Sequence, residues 1–96
     1  MTEYQIHLAA VGTFSDVVNA FNVGMIDALG GHRNGNLDAF NDYLYWPEPH
    51  PYRLLLQGWD QCKAVLSKLP APSGRSMLAE IEEILAINPQ AIVTFA

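Results

Sequence analysis

Two carboxylates four residues apart, Asp38 and Asp42, stand in the run NLDAFNDYLY. If that run is helical, both project from one face near the positive end of the helix dipole. One reading is that they only complement the dipole. The other is that they present paired negative charge, an imitation of two neighbouring phosphates. Like charges at this spacing repel slightly, and only Arg33 in the preceding segment lies close enough in sequence to relieve them. Glu80, Glu82 and Glu83 form a second acidic group. A helix that turns Ile81, Ile84 and Leu85 inward turns Glu83 outward, as a solvated face would. Were this helix a neighbour of the first, its acids would join Asp38 and Asp42 in one negative patch.

Other chemistry finds weaker support. His32 lies in GGHRNGN, a loop by composition, where functional side chains concentrate. A compact hydrolase built on His32 with Asp38 or Asp42 lacks a nucleophile spaced to join them. A metal site from the same three residues has no recognised ligand spacing, and GGHRNGN has neither the Lys-Ser/Thr ending nor the spacing of a phosphate loop. Cys62, beside Ala64 and Val65, reads as a small buried hydrophobe. His7 reads as a strand residue on the less covered face, and His50, between prolines, as a turn residue. The chain is therefore expected to be no enzyme and to hold no cofactor or metal.

The elements that must position these residues follow from pattern. Tyr4, Ile6 and Leu8 alternate as in a strand, which Gly12 ends. Thr13 with Asp16 makes an acidic capping box, and Phe14, Val17, Val18, Phe21 and Met25 predict a helix reaching toward Leu29. Gly24 weakens that helix by about 1 kcal/mol relative to Ala. Asn36 is a natural N-cap for a short second helix whose Leu37, Phe40 and Leu44 stripe packs inward, leaving Asp38, Asn41, Asp42 and Tyr45 opposite. The prolines of PEPHP end it. Tyr52 to Gln57, apolar on both faces, suits a covered central strand, closed by Gly58 and Trp59. Asp60 is expected to cap a third helix, DQCKAVLSKL, and Ser73 with Gly74 to open a fourth carrying Met77, Leu78, Ile81, Ile84 and Leu85. AIVTFA reads as a last buried strand. The aromatic residues Phe14, Phe21, Phe40 and Trp59 are assigned to the core.

A helical crossover between each pair of strands predicts an α/β fold, a three-stranded parallel sheet packed with about four helices, as one domain over residues 1–96. With 50% hydrophobic and 16% charged residues the composition suits a chain that folds alone. Ten acidic against five basic residues give a formal charge of −5, which argues against nucleic acid as ligand and favours a basic protein partner. A lone cysteine, the absence of a secretion-signal pattern in MTEYQIHLAA, and no apolar run of membrane-spanning length make the cytoplasm the expected compartment and membranes no partner.

The run NGNLDAFNDYL, residues 34–44, resembles the recognition segment of the barstar family of ribonuclease inhibitors, in which an Asn-Leu-Asp-Ala core opens the second helix and another Asp follows four residues after the first. The order of elements is also similar to that family's over nearly the whole chain. The resemblance implies an inhibitor of a barnase-like microbial ribonuclease, monomeric when free. Asp38 and Asp42 would take the place of substrate phosphates, with Asp42 as central anchor, and Glu83 matches the acidic contact on the last helix. His32 stands where the family places a tyrosine in the loop before the helix, and Asn41 where it places an aromatic on the binding face. Asn34, with Gly35, alters the loop itself, so the implied target has a differently shaped cleft. A small acidic α/β adaptor for some other basic protein is the alternative.

Overall fold

Three parallel strands, β1 (Glu3–His7), β2 (Tyr52–Gln57) and β3 (Ala91–Phe95), form a sheet in the order β1-β2-β3. In this computed structural model, which describes residues 1–30 and 37–96, the strands are joined through α1 (Phe14–Phe21), α2 (Leu37–Tyr45), α3 (Trp59–Leu66) and α4 (Met77–Ala86). The α/β class, the parallel sheet and the four helices agree with the sequence pattern. No described helix is long and apolar enough to cross a membrane.

Register explains where the core lies. Tyr4 pairs with Leu54 and Leu54 with Val93, while Ile6 pairs with Leu56 and Leu56 with Phe95, so these side chains share one face. Ile6, Tyr52, Leu54, Leu56 and Ala91 on that face are buried. The opposite face carries Glu3, Gln5, His7, Arg53, Ile92 and Thr94, all exposed, and Leu55 is only half-buried there. The three leucines of β2 thus mark a central strand, as expected, but not one covered on both sides. Topology supplies the reason: when successive parallel strands are added in one direction, crossovers of one hand bring every helix to the same face.

Local chemistry sets the helix ends. The capping box of α1 is complete: Thr13 Oγ1 accepts from the Asp16 amide at 3.2 Å, and Asp16 Oδ2 accepts from the Thr13 and Gly12 amides at 3.1 and 2.9 Å. These bonds, that from Gly12 foremost, hold the Asp16 carboxyl below its usual pKa. Two helix starts differ from expectation. Gly58, at φ 73°, stands at the cap of α3 instead of Asp60, because the Gly58 and Trp59 amides donate to the Ala96 carbonyl at 3.0 and 3.2 Å. Ser76, not Ser73, caps α4, accepting from the Ala79 amide at 3.1 Å. Ser73 and Gly74 belong to a turn closed by an antiparallel bridge between Pro70 and Ser76.

Past Phe21 the first helix widens into a π-helical turn, Asn22–Ile26, and then narrows to a 3-10 turn, Asp27–Leu29, closed by Gly30 at φ 81°. Gly24 sits in the wide turn against β1. A Cβ there would lie 2.5 Å from the Gln5 carbonyl oxygen and 2.8 Å from Ile6 Cδ1. The absence of a side chain at Gly24 thus lets this turn approach β1 closely. Gly24→Ala should destabilise the fold by about 1–3 kcal/mol, the overpacking cost outweighing the gain in helix propensity of about 1 kcal/mol. Urea denaturation measures this, and a midpoint unchanged or raised would contradict the close approach.

Candidate functional site: the exposed face of α2 and its junction with α4

One side of α2 is locked into the core. Phe40, Tyr43 and Leu44 are each 0% exposed. The Phe40 ring meets Phe21 edge-on at 5.0 Å and Phe14 at 6.2 Å, which fixes the helix against α1. At its far end the Leu44 carbonyl accepts two bonds, one from the Tyr52 hydroxyl at the start of β2 and one from Gln90 Nε2 at 3.2 Å. Burial, with Tyr4 adding to it, pushes the Tyr52 phenol well above its ordinary pKa, so it stays a donor at any physiological pH.

The outward side then follows from helical spacing. Asp42 and Tyr45 are exposed, and position 38, in the first turn, lies on the same side of the helix. Tyr45 stays 69% exposed although its ring meets His50 edge-on at 5.2 Å. His50 lies in the proline-rich bend, its peptide bond to Pro51 and that of Glu48 to Pro49 being cis, and its Nε2 is 3.2 Å from the Tyr45 carbonyl oxygen. This matches the expected turn role. His32 and Asn34 fall outside the described residues, as does Asn36.

Asn41 departs from the expected outward face. It lies beside Leu37 and Leu44 on the helix and is half-buried, its Oδ1 accepting from Asn88 Nδ2 at 2.7 Å. Asn88, 6% exposed, also donates to the Ile84 carbonyl at 2.7 Å and accepts from Gln90 Nε2 at 2.8 Å. Through this clasp α2 and α4 are neighbours, the condition under which their acids could share a surface. Between them runs a groove of about 700 Å³, with Leu37, Met77 and Ile84 among its apolar walls and Asn41, Glu80 and Glu83 among its polar ones.

Glu83 is exposed on α4, as its spacing suggested, but it is not a free charge. Arg75 Nη1 lies 2.5 Å from Glu83 Oε2 and 3.7 Å from Glu80 Oε1, and Ser73 donates to Glu80 Oε1 at 2.5 Å. Glu83 and then Glu80 raise the Arg75 pKa further above its already high value. Sequence reasoning overlooked Arg75, because eight residues separate it from Glu83 and no helical spacing links them. Among the described residues no three His, Cys, Asp or Glu side chains converge as metal ligands would. Cys62, 0% exposed, has its thiol pushed up to about 11 by burial, the environment of a packing residue.

Comparison with family models, with curated proteins and with solved structures finds no match. What the site can do therefore rests on its own geometry: a locked helix that turns Asp42 and Tyr45 to solvent.

Two predictions test this arrangement. At pH 8, Cys62 should react with a disulfide reagent at least about tenfold slower in the folded protein than in urea, and comparable rates would place the thiol at the surface. Asn88→Ala should lower stability by about 1–3 kcal/mol by leaving half-buried partners unpaired, while Asp42→Ala should stay within about 0.5 kcal/mol of the natural protein. Thermal unfolding distinguishes them, and a large loss from Asp42→Ala would make that residue structural.

Proposed function

We propose that this protein is a proteinaceous ribonuclease inhibitor of the barstar type, which blocks a basic microbial ribonuclease with the acids of α2 and the segment before it. The observation that supports this most is the division of α2 into two sides. Phe40, Tyr43 and Leu44 anchor one side, and Asp42 stands exposed on the other, within the run of residues 34–44 that resembles the family's recognition segment.

Physical reasoning supplies the steps. A net charge of −5 draws the protein toward a nucleic-acid-binding enzyme, whose working surface is positive by necessity. Docking brings the α2 acids against the basic groups that otherwise hold substrate phosphate, and water is lost from both. Charge-assisted hydrogen bonds then replace hydration, and the active site is closed by occupancy without any bond being made or broken. The protein acts as a monomer in the cytoplasm, needs no cofactor and turns over no substrate. Glu83 on the neighbouring helix widens the acidic surface, and Tyr45 beside Asp42 offers an aromatic contact at its edge. His32 and Asn34 in the preceding segment and Asn41 at the groove complete the proposed contact set.

The test is inhibition of a panel of small secreted microbial ribonucleases by the natural protein and by the Asp38→Ala, Asp42→Ala double variant. Asp42→Ala alone should weaken inhibition at least about a hundredfold, because a desolvated cationic partner loses its counter-charge. Glu3→Ala, an exposed acid on β1, should leave inhibition unchanged. Equal losses from Glu3 and Asp42 would reduce the effect to net charge. Inhibition of no ribonuclease would point to an adaptor for another basic protein.

A further inference from the structure

The acids of α4 already hold a cation, and that cation belongs to the same chain. Arg75 reaches Glu83 at 2.5 Å and Glu80 at 3.7 Å. Its backbone is held in place: the Ala71 amide donates to the Arg75 carbonyl at 2.9 Å, the Arg75 amide donates to Ser73 Oγ at 3.3 Å, and the Pro70 to Ser76 bridge closes the turn. Gly74, at φ 88°, supplies the left-handed residue that such a turn needs. Ser73 fixes Glu80 from the other side. Both acids line the groove that opens beside Asn41 of α2.

We propose that Arg75 is a built-in competing cation, an autoinhibitory contact that a basic partner must displace from Glu83 and Glu80 before its own cation can occupy them. The inference rests on the proposed function, in that Glu83 is taken as a partner contact. Exposure decides how strong the contact is. The Arg75 and Glu83 side chains are 52% and 53% exposed, so water and salt screen the pair and its exchange is readily reversible. Glu80, 17% exposed, is the better shielded of the two acids and the one to which an incoming guanidinium would gain most by binding. The arrangement discriminates between partners: one that presents a well-placed guanidinium replaces Arg75 with an equivalent pair, whereas one without it would leave α4 neutralised by its own arginine.

Arg75→Ala and Arg75→Gln both retain the main-chain carbonyl and amide through which residue 75 holds the turn, so either variant tests the side chain. In ribonuclease inhibition, both should tighten binding about two- to fivefold at low salt, the range expected for release of one exposed ion pair, and less at high salt. Lys63→Ala, which removes the same charge from an exposed position on α3, should give no such gain, and the gain should vanish in a Glu83→Gln background. Unchanged or weaker binding by the Arg75 variants, or an equal gain from Lys63→Ala, would overturn the proposal.

If the natural protein inhibits no ribonuclease, the proposed function fails by itself and a hexa-arginine peptide decides the fate of Arg75. In an NMR titration of the labelled protein, tighter binding to the Arg75 variants with shifts centred on Glu80 and Glu83 would sustain the competing-cation role. Equal affinity for natural and variant proteins would end it.

Discussion

Burial of Phe40 against α1 determines which side of α2 meets water, and most of the architecture can be traced from it. Its ring closes against Phe21 and Phe14, and Tyr43 follows in the same cluster. Aromatic edges of this kind resist rotation of the helix because a turn of one residue would carry Phe40 toward solvent and Asp42 toward the core. Desolvating an unpaired carboxylate costs far more than any contact on the new face could return. Asp42 is therefore exposed as a consequence of hydrophobic seating elsewhere on the same helix.

The clasp between Asn41 and Asn88 adds direction to this seating. Hydrophobic contact alone is tolerant of small slides, whereas the Asn88 amide bonds Asn41, Ile84 and Gln90 at defined distances. The result fixes the spacing of α2 from α4 and keeps a groove open beside the clasp. Electrostatics divides along the same line. The α4 side of the groove is neutralised in part by Arg75, while Asp42 on α2 stands exposed to solvent.

Much of this was legible in the residues because it is local. Thr13 and Asp16 lie three apart and build their cap from neighbours alone. Leu37, Phe40 and Leu44 declare the inward stripe by spacing, and Tyr4, Ile6 and Leu8 do the same for β1. Most of the differences involve partners outside the local window. The start of α3 is set by the carbonyl of Ala96, thirty-seven residues beyond Trp59, so Asp60 looked like a cap when it is not. Asn41 looked outward until Asn88 gave it a partner across the helix pair. Three successive leucines in β2 promised cover on both faces, yet coverage is decided by the hand of the crossovers, which no window of sequence contains. Arg75 and Glu83 were joined by a turn whose closure depends on Pro70 meeting Ser76.

The two hydrogen bonds that converge on the Leu44 carbonyl have a thermodynamic consequence. They tie the last turn of α2 to the beginnings of β2 and β3, so the helix backbone cannot fray or tilt without breaking contacts at the centre of the sheet. The backbone entropy of this segment is lost when the chain folds, not when it meets another molecule. Under the proposed function, a helix held in this way would leave only its outward side chains to be ordered on association. Affinity at such a surface is then governed by how well two preformed shapes and charge patterns agree, and misfitting partners gain nothing from induced adjustment of the helix.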